Sequence, residues 1–144
     1  MKIRKSVVRD MIAQARKEAP VEACGYLAAK DGVVTVTYAL TNVDQSNEHF
    51  SLDPAEQFSA LKDARAKGLQ ICAVYHSHPQ SPARPSAEDI KKAFDPDKIY
   101  VIVSLANGQE DIRAYRIRGE KVNPERAKAS RRIKIEPLEV IGDD

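Results

Sequence analysis

Apolar positions recur at Val7, Val8, Met11, Ile12 and Ala15 between Lys5 and Glu18. That helical spacing predicts an amphipathic helix, and Pro20 ends it. The pattern then changes. Cys24 to Ala29 and Val33 to Leu40 are rich in apolar and β-branched residues and are joined by Asp31-Gly32, which predicts two strands in a hairpin. Thr41 to Ser51 is polar and reads as a loop or short strand. Asp53-Pro54 opens a second helix, Ala55 to Lys67, with Gly68 placed to close it. Gln70 to Tyr75 is a short apolar strand, Ser86 to Phe94 a third helix, and Asp95-Pro96-Asp97 its stop. Ile99 to Leu105 and Asp111 to Ile117 predict a second hairpin around Asn107-Gly108, and Ile133 to Val140 a last strand. Helices interspersed with hairpins, without strict βαβ alternation, predict an α/β domain: a mixed sheet, mostly antiparallel hairpins, flanked by helices.

The apolar run Ile71 to Tyr75 leads into His76-Ser77-His78-Pro79, and a proline-broken loop then reaches Ser86 and Asp89. Side chains at i and i+2 of a strand share a face, so His76 and His78 can grip one ion. Asp89, carried back by the loop, can supply a third ligand. Two histidines and an aspartate with a fourth position open to water suit a catalytic zinc site. The same residues admit a plainer reading. Ser86 and Asp89 fit a capping box, which needs no metal. Other His-x-His sites match less well. No histidine follows His78, as a cupin-like site needs. There is no Pro-Cys-x-x-Cys segment of a zinc deaminase, and the chain is too short for a barrel of the amidohydrolase kind.

Composition adds bounds. The 144 residues, 42% hydrophobic and 31% charged, suit one domain. No apolar run is long enough to span a membrane, and the amphipathic start is unlike a signal peptide, so a cytoplasmic protein is expected. The two cysteines, Cys24 and Cys72, are expected to be buried thiols. Net charge is +2, yet residues 113–134 carry nine Lys or Arg against Glu120 and Glu125. That basic block can attract an acidic partner. Its plainer reading is a solvated tail. His49 is expected to be a loop or groove residue, and Tyr75, Phe50 and Phe58 to be packing.

The gapped pattern of a distant glutamate, His-x-His-Pro, six residues, Ser, two residues and Asp falls on Glu22, His76-Ser77-His78-Pro79, Ser86 and Asp89. It resembles the JAMM (MPN-plus) metalloprotease family, specifically its small stand-alone prokaryotic members. Pro20 to Leu27, Asn42 to Pro54 and Tyr100 to Ser104 resemble the family as well, and the resemblance covers roughly residues 1–117. It implies the MPN/JAMM, cytidine-deaminase-like architecture, with a catalytic domain over 1–118. Residues 119–144 would be a basic extension partly packed on it. It implies one Zn²⁺ per chain, held by His76, His78 and Asp89, with Glu22 as general base and then acid and Ser86 as a donor to the oxyanion. Read without the resemblance, Glu22 is an exposed carboxylate at a strand start. The implied reaction is hydrolysis of the amide after a C-terminal Gly-Gly of a ubiquitin-like sulfur carrier (ThiS-, MoaD- or CysO-like). Glycine suits that position because it lets the backbone approach a buried metal without a Cβ clash. Two other readings stay open: an MPN scaffold that binds partners without catalysis, and a RadC-like nucleic-acid-associated role. The sequence supports the latter weakly, and leaves the oligomeric state open.

Overall fold

The computed structural model describes residues 1–118 and 132–142. The chain runs β1 (Lys2–Arg4), α1 (Lys5–Glu18), β2 (Cys24–Lys30), β3 (Val33–Leu40), α2 (Pro54–Ala66), β4 (Gln70–His78), α3 (Ala87–Lys91), β5 (Ile99–Ser104), β6 (Asp111–Arg118), β7 (Arg132–Glu136) and β8 (Glu139–Ile141). Among the described residues the strands form one sheet in the order β7-β6-β5-β4-β2-β3-β1-β8. It is mixed, as expected: β1 runs parallel to β3 and β8, β4 runs parallel to β5, and the other pairings are antiparallel.

The helices divide between the two faces. Val7, Met11 and Ala15, one turn apart on α1, pack with Leu27, Val34, Ala73, Tyr75, Val101 and Val103. On the other face Ala60 and Ala64 of α2 cover Cys24, Tyr26, Ala28 and Ile71. On either side of α3 in the chain, Ala83 and Ala93 cover Ile102, Tyr115 and Ile117. Asp53 caps α2 through Ala55 N–H with Pro54 at its first turn, and Gly68 follows with φ +69°, a left-handed position that glycine takes without Cβ strain.

In β4, register slips against β2: Leu27 pairs with Ala73 but Ala28 with Ile71. The extra residue, Cys72, is a β-bulge, and it reverses which side chains face α1. Ala73 and Tyr75 therefore look toward α1, while Val74 joins the α2 side. By the same alternation His76 and His78 fall on the face that carries α2 and α3. Room for Tyr75 comes from Gly25, where a Cβ would lie 2.4 Å from the Tyr75 hydroxyl and 2.3 Å from the Tyr38 carbonyl oxygen.

Three expectations need correction. β4 does not stop at Tyr75; it continues through His78 because β5 pairs with it as far as Ser104. α3 is shorter than Ser86 to Phe94, ending in a cap at Lys92. The single last strand over 133–140 is two strands on opposite edges of the sheet, because Pro137 cannot continue a ladder. Only Pro137 and Leu138 separate β7 from β8. Three residue steps span at most about 11 Å, so the sheet curls until its two edges meet there. Of the expected extension 119–144, residues 119–131 and 143–144 lie outside the described residues, and so does most of the basic block.

Candidate metal centre

His76 and His78 sit at the carboxyl end of β4, both 3% exposed. Their Nε2 atoms are 3.1 Å apart, and Asp89 Oδ2 lies 3.1 Å from the first and 3.0 Å from the second. The structure thus brings together the three donors expected from the sequence. Each ring is fixed by a further contact. His78 Nδ1 is 2.8 Å from the Pro82 carbonyl oxygen. A carbonyl only accepts, so Nδ1 carries a proton; when Nε2 gives up the proton it shares with Asp89, the neutral ring keeps on Nε2 the lone pair that a metal ligand needs. His76 stacks on Phe50, with ring centroids 4.8 Å apart and an interplanar angle of 24°.

The capping box and the ligand reading are compatible. Asp89 Oδ2, the oxygen that faces both histidines, also accepts from Ser86 N–H at 2.9 Å. The cap therefore aims the carboxylate. Ser86 Oγ accepts from Asp89 N–H at 3.1 Å; that bond uses a lone pair and leaves the hydroxyl proton to donate.

Glu22 is not the exposed carboxylate that its local sequence suggests: it is 3% exposed. Its neighbour Ala23 is clamped to β4, with Ala23 N–H donating to Ser77 Oγ at 2.7 Å and Ser77 N–H donating to Ala23 O at 2.9 Å. Ser77, between the histidines, points to the opposite face, and so it can secure the segment carrying Glu22. Glu22 Oε1 is buried without a hydrogen-bond partner. Glu22, His78 and Ser86 line one cleft of about 290 Å³ with Asn47, Glu48, Gln80 and Ser81.

The electrostatics suit a cation. Burial pushes the Glu22 carboxyl up from 4.5 to about 7, with the His78 charge opposing and Asp89 and Glu48 adding to the rise. Burial also opposes ionisation of Asp89, but hydrogen bonds from His76, His78 and the Ser86 backbone outweigh it and hold that carboxyl well below its usual range. Burial alone would lower His78; its bonds to Asp89 and Pro82 raise it instead. Three donors therefore converge in a buried, anionic setting. Zinc bound at about 2.0–2.1 Å to three corners of a tetrahedron needs donors about 3.3 Å apart, close to the spacing here, so the residues fit that ion.

A family model described as prokaryotic homologs of the JAB domain matches residues 4–118. The chain belongs to that family. It is similar to the CysO-cysteine peptidase of Mycobacterium tuberculosis, 36% identical over 118 residues, covering 80% of this chain and 81% of the relative. It is also similar to the desampylase of Haloferax volcanii, 36% identical over 104 residues, covering 70% and 75%. A JAB1/MPN domain protein from Archaeoglobus fulgidus shares the fold with TM-score 0.63 at 20% identity, over 98% of this chain and 97% of that one.

The other sequence candidates are sorted by the same geometry. His49 stands outside the donor triad, with its Nδ1 3.0 Å from Asp44 Oδ2. Burial raises the Cys24 thiol to about 12 and leaves it inert at neutral pH, and both cysteines are free. Tyr75 is core, its hydroxyl bonded to Gln14 and Thr37. Phe58 is 67% exposed and is not packing. Phe50 is more than packing, since it backs a candidate ligand. Among the described residues no helix is long and apolar enough to cross a membrane.

Proposed function

We propose that the protein is a zinc-dependent peptidase that hydrolyses the amide after the C-terminal Gly-Gly of a small ubiquitin-like or sulfur-carrier protein. His76, His78 and Asp89 would hold one zinc ion per chain. Bound zinc supplies a Lewis acid and brings the pKa of a water ligand toward about 7. The observation that carries the reading is Glu22, a buried carboxylate with an unpartnered oxygen, lining the same cleft as His78 and Ser86. A base with a pKa of about 7 is poised for neutral pH, and a neighbouring cation draws it lower, into the ionised form that accepts a proton. Glu22 takes the proton of the attacking water and hands it to the leaving amine nitrogen as the C–N bond breaks. The Ser86 hydroxyl donates to the carbonyl oxygen as that atom gains negative charge. The Pro82 carbonyl holds His78, and Phe50 holds His76.

The substrate class is supported by the similarity to the CysO-cysteine peptidase and the desampylase. The test is intact-mass analysis of sulfur-carrier proteins extended beyond Gly-Gly, incubated with the protein, with Glu22→Gln, and with the protein plus chelator. Loss of the extension in the first sample alone is expected. An intact extension on every carrier, with zinc confirmed in the protein, would overturn the reading.

A further inference from the structure

Glu22 has no side-chain partner on Oε1, so its aim depends on what holds its peptide. Its N–H donates to Ser46 O at 2.8 Å, and its carbonyl oxygen accepts from Asn42 Nδ2 at 3.1 Å. Asn42 follows β3, is 5% exposed, and uses both ends of its amide. Nδ2 also donates to His49 O at 3.0 Å, while Oδ1 accepts from Asp44 N–H at 3.1 Å and Ser51 N–H at 3.3 Å. His49 and Ser51 flank Phe50, the residue stacked on His76. One amide therefore ties the peptide of the acid–base carboxylate to the loop that backs a metal-ligand histidine.

We propose that Asn42 is a positioning residue for catalysis, acting through Glu22. The proposal rests on the peptidase reading above. The chemistry requires an amide. Aspartate keeps the shape and the two acceptor bonds but has no donor for the Glu22 and His49 carbonyls, and it sets a charge against them. A misplacement near 1 Å costs about 100-fold in rate, which sets the scale.

The experiment measures kcat, KM and bound zinc for Asn42→Asp and Asn42→Ser, each alone and combined with Glu22→Gln, on a Gly-Gly-extended carrier. The expected result is a fall in kcat of about 10- to 100-fold for Asn42→Asp, with KM within about twofold and zinc retained. Serine keeps one hydroxyl donor and should lose less; it carries the test alone where the aspartate variant does not fold. In the Glu22→Gln background either change should leave the residual rate nearly unaltered, because the group being aimed is gone. The same fold-loss in both backgrounds, or an unchanged kcat in the single variants, overturns the proposal. Full activity of Glu22→Gln alone would instead overturn the peptidase mechanism, so the two failures are distinct.

Discussion

Replacing Glu22 by glutamine keeps the shape of the side chain and removes its titration. In the metal-free protein the carboxyl rises from 4.5 to about 7, chiefly through burial. The folded chain therefore keeps a proton that the unfolded chain has released between those pH values. The sign follows from proton linkage: where the folded state binds more protons, stability falls as pH rises. The Glu22 contribution should thus fall between about pH 4.5 and 7 and stay low above. At about 1.4 kcal/mol per pKa unit the shift corresponds to about 3 kcal/mol, and screening by water in the adjoining cleft reduces this to about 2 kcal/mol. The assay is urea unfolding in the presence of chelator at pH 5 and pH 8. Relative to the unmutated protein, Glu22→Gln should gain about 2 kcal/mol on going from the lower to the higher pH. His78 and Asp89 titrate in both proteins, so the difference reports Glu22 together with its charge coupling to those two groups. A difference that does not change with pH would refute the argument that burial strains this carboxylate. With zinc present, the variant should keep its metal and lose about 10²- to 10⁴-fold in turnover.

Other outcomes follow from the same geometry. His78→Ala should bind less than one zinc per chain by metal analysis, and retention of a full equivalent would remove it from the ligand set. Ser86→Ala should cost about 1 kcal/mol of stability for the lost cap and, separately, about 10²- to 10³-fold in kcat if the hydroxyl donates to the oxyanion; an unchanged kcat leaves only the cap. Phe50→Ala removes the ring behind His76, and at about 1.4 kcal/mol for the stacked pair zinc affinity in a competition titration should drop about tenfold. Gly25→Ala forces a methyl into the Tyr38 carbonyl and the Tyr75 ring. The carbonyl belongs to a paired strand and cannot retreat, so denaturant unfolding should show a loss of about 2–3 kcal/mol; a neutral result would mean that the β2–β3 ladder yields.

What the sequence revealed, and what it hid, divides along a physical line. Local signals were legible: the periodicity of α1, Asp53-Pro54 and Gly68 around α2, and the turn glycines. The donor triad was legible because its members lie within fourteen residues of one another and depend on strand alternation and a helix cap. What depends on distant pairing was hidden. β4 reaches His78 because β5 lies beside it, and nothing in Ile71 to Tyr75 encodes that partner. Glu22 is buried by a loop that folds over it from 42–52, so its local sequence reads as exposed. Phe50 reads as core although its ring meets an imidazole. Asn42 had a weak signal, since Asn-x-Asp is a local turn pattern, but its reach to Glu22 spans twenty residues.

The closure at Pro137 and Leu138 gives the chain a mechanical character. β1, near the start of the sequence, and β8, near its end, lie side by side and run in the same direction, with Lys2 opposite Glu139, Ile3 opposite Val140 and Arg4 opposite Ile141. Tension applied at the two ends would slide these strands lengthwise past each other. All three pairs would then carry the load together, where an antiparallel terminal pair would open one bond at a time like a zipper. Forced unfolding is set by the barrier to that first rupture. The short last strand is therefore a shear clamp, and the rest of the sheet, with His76 and His78 on it, stays shielded from a pull until the clamp gives way.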